Sequence, residues 1–159
     1  MKLMTLTLLL VFFAAISSGN AQDWDNVYNE NEGIRIVKKD GKYGAIDSDS
    51  KVVVAATYQR IYNFKPNGLA MAKKDNKYGF VNTSGKVVVP VIYDDLYAFK
   101  FGMTPATINN KSGYINEKGE VVVPLEYTDA YSFKDGFAIV KKGNKLGIFN
   151  KDGKMVMPA

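Results

Sequence analysis

The chain has 159 residues, 47% of them hydrophobic, and carries 21 basic against 16 acidic side chains for a net charge of +5. It has no histidine and no cysteine, which excludes Ser-His-Asp and thiol catalysis, disulfides and the usual zinc sites. At this length one domain held together by packing is expected, and 10 tyrosines and 9 phenylalanines supply aromatic bulk for it.

Residues 1–21 read as an export signal. Lys2 is the positive start, Leu3 to Ile16 the apolar stretch, and Ser17 to Ala21 a run of small and polar residues, with cleavage expected between Ala21 and Gln22. The apolar stretch is shorter than the roughly 20 residues a bilayer span requires, and no Cys follows it to take a lipid. The mature chain, 22–159, then has 20 basic and 16 acidic residues because Lys2 is lost. It holds no second apolar run, so no stable membrane insertion is expected.

From Gly33 onward one pattern recurs. Gly33, Gly68, Gly102 and Gly136 open four units (33–67, 68–101, 102–135 and 136–158), each with a second glycine eleven residues on, at Gly44, Gly79, Gly113 and Gly147. A period in this range marks an array of one supersecondary unit. The first unit is a residue longer, at the Pro66-Asn67 loop, where an insertion costs least.

Within each unit the signals are those of strands. GIRIVKK, GLAMAKK and GFAIVKK place large apolar residues on one parity, which is period-two alternation. Asp40-Gly41, Asp75-Asn76, Asn109-Asn110 and Gly143-Asn144 follow as two-residue hairpin turns. The second strand is KYGAID, KYGFVN, KSGYIN or KLGIFN, its glycine leaving room for a ring or a neighbouring backbone. A turn with Ser50, Gly85, Gly119 or Gly153 leads to a third strand, VVV or MVM, expected to be buried on both faces. Pro90, Pro124 and Pro158 are expected to end that strand.

A tail closes the unit, YQRIYNF, YDDLYAF or YTDAYSF. Tyr58, Tyr93 and Tyr127, each six residues before Phe64, Phe99 and Phe133, are expected to pack between adjacent units. Trp24 to Glu32 is a worn copy of such a tail, within a 22–32 N-terminal cap.

The repeat GxAxVKKxxKYGxIDxxGKVVVPxxYDxxxxFxxG resembles the WG-repeat family, also called KWG repeats, of bacterial proteins, over residues 33–158. The tryptophan that names the family is replaced by Tyr43, Tyr78, Ser112 and Leu146. The resemblance implies repeat-mediated binding or scaffolding and brings no catalytic residues with it.

The expected fold is all-β: four three-stranded antiparallel meanders with aromatic tails in an open, curved array. The alternative is a small closed ring of propeller type, with the N-terminal piece completing the last unit. The third unit is the odd one, with Pro105 in its first strand, Thr107-Ile108 in place of lysines and Ser112 at the aromatic position. Both drift and a binding spot would account for it.

Two rows of lysine recur. Lys42, Lys77, Lys111 and Lys145 follow the first turn in every unit, and Lys38-Lys39, Lys73-Lys74 and Lys141-Lys142 close strand one in three. Lysine beside a tight turn keeps strand ends soluble and blunts edge pairing; a stripe of it would also attract an acidic polymer. Candidate ligand-binding residues are therefore Lys42, Lys77, Lys111, Lys145, Tyr43 and Tyr78. Asp47-Ser48-Asp49-Ser50 does not continue as a calcium loop, because Lys51 and Tyr58 stand where oxygen ligands are needed. Neither metal nor cofactor is expected. The sequence reads as an exported, non-catalytic binding or scaffold protein of a bacterial envelope or secretome with a protein partner. A cell-surface glycan or anionic polymer is the alternative. A hydrolase would require Asp94, Asp95 or Asp129 to converge in a cleft. Nucleic acid is not an expected partner of an exported chain.

Overall fold

The computed structural model describes residues 24–159; the expected export signal and its expected cleavage position lie outside the described residues. The chain forms four antiparallel four-stranded sheets. The first holds β1 (Asn26–Asn31), β2 (Ile34–Lys39), β3 (Lys42–Asp47) and β4 (Val52–Tyr58). The second holds β5 (Arg60–Ile61), β6 (Leu69–Lys74), β7 (Lys77–Asn82) and β8 (Val87–Tyr93). The third holds β9 (Asp95–Leu96), β10 (Met103–Ile108), β11 (Lys111–Asn116) and β12 (Val121–Tyr127). The fourth holds β13 (Asp129–Ala130), β14 (Phe137–Lys142), β15 (Lys145–Asn150) and β16 (Met155–Met157).

Each expected meander is present, and each tail does more than pack. It crosses to the next unit and adds a short strand there, so that Ile61 pairs with Ala72, Leu96 with Ala106 and Ala130 with Val140. The N-terminal piece takes the same place in the first sheet, with Val27 opposite Val37. Turn chemistry sets the register. Asp40-Gly41, Asp75-Asn76 and Asn109-Asn110 all have positive φ, the geometry that matches strand twist in a two-residue hairpin. Asp47, Asn82, Asn116 and Asn150 each accept two backbone N–H groups across the second turn.

Two expectations about the third strand are corrected. The valine run is not buried on both faces: Val87 and Val121 are exposed, and only Val54, Val89 and Val123 are fully inside. Pro90 and Pro124 do not end their strands either, but lie within β8 and β12, where the ladder is irregular. Phe80 pairs with Val89 and Tyr78 with Tyr93, so residues 90–92 bulge past Gly79. A bulge leaves an unpaired stretch in which proline sacrifices no ladder bond. It also presses the backbone onto the glycine, where a Cβ at Gly79 would lie 2.5 Å from the Val89 carbonyl oxygen.

The core is three clusters, each between consecutive sheets. Ile34, Ile36, Ala45 and Val54 of the first sheet meet Ile61, Phe64, Ala70, Ala72 and Val81 of the second. Leu69, Phe80 and Val89 then meet Leu96, Ala106 and Ile115, and Met103, Tyr114 and Val123 meet Phe133, Ala138, Val140 and Phe149. Mostly bulky side chains on the leading face of one sheet thus receive alanines on the trailing face of the next. Tyr93 and Tyr127 belong to these clusters and Tyr58 packs against the first, as the tail pattern implies. Among the described residues no cluster joins the first sheet to the fourth, so the chain is an open array and not a ring. Val37 and Ile46, on the trailing face of the first sheet, are also fully buried but belong to none of the three clusters.

Candidate functional site

The tail strands aim one tyrosine outward per unit. Ile61, Leu96 and Ala130 face the core, and the residue after each points the other way by strand alternation. These are Tyr62, Tyr97 and Tyr131, with Tyr28 as the N-terminal counterpart, and all four are between 42% and 51% exposed. The backbones of Tyr62 and Tyr131 are fixed to the neighbouring strands β6 and β14. Tyr62 N–H donates to the Met71 carbonyl at 2.9 Å and Tyr131 N–H to that of Ile139 at 2.9 Å. In the third unit, where Pro105 has no N–H to give, the Thr104 hydroxyl accepts from Tyr97 N–H at 3.3 Å and donates to the Tyr97 carbonyl at 2.9 Å. The substitution of a proline is thereby accommodated without losing the tyrosine's place in the row.

The three intervals of this row differ. Between Tyr28 and Tyr62 the protein's own side chains form a stack. Tyr28 lies on Tyr43 with centroids 6.0 Å apart, and the Arg60 guanidinium sits 5.2 Å from the Tyr43 ring and 5.7 Å from the Tyr62 ring. Arg60 also donates to the Tyr43 hydroxyl at 3.2 Å. Between Tyr62 and Tyr97 the place of Arg60 is taken by Asp95, and a groove of about 910 Å³ is open. Leu69, Met71 and Phe80 line it, together with Tyr78 and Phe99, and Arg60, Lys65 and Asp95 are its charged residues. Between Tyr97 and Tyr131 a groove of about 290 Å³ is lined by polar side chains, among them Thr107, Ser112, Thr128 and Asp129. Thr107 and Ser112 share a hydrogen bond of 2.9 Å there, so the polar residues of the third unit satisfy one another.

Of the residues singled out in the sequence, Tyr78 lines the larger groove and Tyr43 takes part in the stack. Lys42, Lys77, Lys111 and Lys145 line neither groove. Lys77 is paired with Asp94, whose other oxygen accepts from Asn109 N–H at 2.8 Å. The lysine bond, then the backbone donor, holds the Asp94 carboxyl below its ordinary pKa. The strand-end lysines lie on rings: Lys38 over Tyr43, Lys73 over Tyr78 and Lys142 over Tyr127, at 5.0 to 5.9 Å. Asp94 is thus committed to the scaffold, while Asp95 and Asp129 both border the smaller groove. Among the described residues no group of three acidic side chains is placed to hold a metal ion.

The exposed row Tyr28, Tyr62, Tyr97 and Tyr131 is absent from the sequence-derived candidates. Its signal was present, since each stands four residues after Trp24, Tyr58, Tyr93 or Tyr127. Alternation within the tail would have separated these rings from the buried ones.

No curated protein matches the chain. A solved structure described as the crystal structure of the eukaryotic initiation factor is similar over 91% of this chain and 44% of its own, at 15% identity and a TM-score of 0.49. The chain therefore spans less than half the length of that protein. A family model described as WG containing repeat matches at residues 43–78, 78–111 and 113–145, well over half of the sequence. Those matches step through the glycine, the valine run and the tail described above, and the chain belongs to the WG-repeat family.

Proposed function

We propose that this protein is an exported, non-catalytic WG-repeat module of the bacterial envelope or secretome that binds a protein partner through the groove between Tyr62 and Tyr97. The observation that supports this is the composition of that groove. An apolar floor of Leu69, Met71 and Phe80 lies beneath tyrosines and an arginine, and buried apolar anchors framed by Tyr and Arg are the chemistry of protein interface hot spots. The recurrence of the tyrosine in every unit fits an extended ligand that follows the array. A glycan or anionic polymer is the second reading, favoured by the exposed Lys42, Lys111 and Lys145 and by the exposed rings.

The test is capture from the native envelope and culture medium by the chain 22–159, run beside Tyr62→Ser and Tyr97→Ser variants. A single stoichiometric protein retained at raised salt, and bound about 30-fold more weakly by each variant, supports the proposal. Polysaccharide alone, released by salt or by neutralising the lysine row, replaces it with the second reading.

A further inference from the structure

The leading face of the fourth sheet exposes one half of the interface that the interior repeats three times, and the first sheet exposes β1 while Val37 and Ile46 on its trailing face are covered. On the fourth sheet, Phe137, Ile139, Leu146 and Met157 are exposed. Their counterparts in the first two sheets, among them Ile34, Ile36, Val54, Leu69 and Val89, are buried under the next unit. On the first sheet, Val27 is 46% exposed, whereas Ile61 at the same repeat position is 3% exposed under the preceding sheet.

The two segments are also of opposite charge. Residues 137–159 carry Lys141, Lys142, Lys145, Lys151 and Lys154 against Asp152 alone, and residues 24–32 carry Asp25, Glu30 and Glu32 with no basic residue. Within the array the Lys77–Asp94 pair links the lysine after one turn to the tail that follows. Lys145 is the repeat counterpart of Lys77, and Asp25 that of Asp94. Asp25 caps its turn just as Asp94 does, accepting from Asp40 N–H at 2.8 Å through Oδ2. Among the described residues neither Lys145 nor Asp25 has an ionic partner.

We infer that the leading face of the fourth sheet binds the N-terminal segment of a second copy of this chain, head to tail. β1 of the incoming copy covers Phe137 and Ile139, Val27 takes the place that Ile61 holds inside, and Asp25 pairs with Lys145. The contact uses the exposed strand β1 and not the already covered Val37 and Ile46. Glu30 stands where Phe64, Phe99 and Phe133 anchor the interior junctions, so this junction is weaker than those. Unlike faces meet, so the association is heterologous and does not close at two copies. This inference is independent of the tyrosine groove, which lies in the middle of the array.

The experiment is sedimentation velocity over a concentration series, with the chain 22–159 and the full-length chain side by side. Dimers, trimers and larger species that grow with concentration and recede with salt are expected. Ile139→Lys should abolish them with an unchanged far-UV circular dichroism spectrum. Asp25→Lys should weaken association roughly three- to tenfold, and combining it with Lys145→Asp should restore it. A monomer at every concentration overturns the inference. So does a species that stops at two copies and ignores Asp25→Lys, since that is a face-to-face dimer of fourth sheets.

Discussion

Leu69 and Phe137 occupy the same position of the same repeat, the first strand residue after the unit glycine, yet Leu69 is 7% exposed and Phe137 51%. Nothing local distinguishes them, for both begin six-residue strands in antiparallel register with the next strand. The difference is the neighbour: the third sheet covers the leading face of the second, and no described sheet covers that of the fourth. In a one-dimensional array, burial belongs to the junction and not to the residue. Interior and terminal copies of one substitution should therefore differ sharply in cost.

The glycine of the second strand gives the widest gap. At Gly79 an added Cβ meets the Val89 and Pro90 carbonyl oxygens at 2.5 and 2.7 Å, both backbone atoms in a paired strand. At Gly147 it meets Ala159 N at 3.0 Å, Ala159 Cβ at 3.1 Å and Val140 Cγ2 at 3.1 Å, none as close as the carbonyl oxygens at Gly79. Gly79→Ala should destabilise the fold by about 3 kcal/mol or more, and Gly147→Ala by about 1 kcal/mol or less, in urea unfolding. Equal losses would mean that the fourth sheet is held as tightly as the second.

Truncating the apolar pair is next in size. Leu69→Ala empties a filled junction and should cost about 2–4 kcal/mol. Phe137→Ala, at a side chain already half in water, should cost under about 1 kcal/mol by the same denaturant measurement.

Most of the fold was legible from the repeat, and the reasons are specific. Turn residues such as Asp75-Asn76 need positive φ, and few side chains accept it, so composition reports geometry directly. Ser50 against Gly85, Gly119 and Gly153 is a subtler case. All four have positive φ, but in the later units a Cβ would press on the third strand of the preceding sheet, at 1.8 Å from the Val53 carbonyl oxygen in the case of Gly85. The first unit has no preceding described sheet, and there serine stands. The passage of each tail into the next sheet was not legible, because Arg60-Ile61 and Asp95-Leu96 are too short to show a period. The groove escaped for a related reason: it is framed by Tyr62 and Tyr97 from different units, with Asp95 at the repeat position that Arg60 holds in the stack.

Tyr114 offers a smaller and pH-dependent contrast. It is fully buried, and its hydroxyl donates to the carbonyls of Tyr131 and Ile139, tying the third sheet to the fourth. Burial pushes its pKa well above the ordinary tyrosine value. The folded state therefore holds a proton that the unfolded state releases above about pH 10, and stability falls as pH rises through that range. Tyr114→Phe should cost about 1–2 kcal/mol at neutral pH by removing the hydroxyl from the Tyr131 carbonyl, since that of Ile139 keeps the Tyr131 N–H. It should also flatten the alkaline decline in melting temperature. Burial raises Tyr58, Tyr93 and Tyr127 as well, so some decline should persist.

The smallest effect separates two lysines. Asp94, held below the usual carboxylate range chiefly by Lys77, binds fewer protons folded than unfolded between its two pKa values. Its contribution is present above the unfolded value, near pH 3.9, and is lost as pH falls through the folded one. Lys77→Ala should remove part of that acid dependence in a series of melts taken downward from about pH 5. Lys145→Ala, at the counterpart position without a described tail, should leave the intramolecular acid profile of a dilute monomer unchanged. Should Lys145→Ala shift the profile as Lys77→Ala does, the fourth unit has a carboxylate partner of its own, and its lysine is not the open half of a pair.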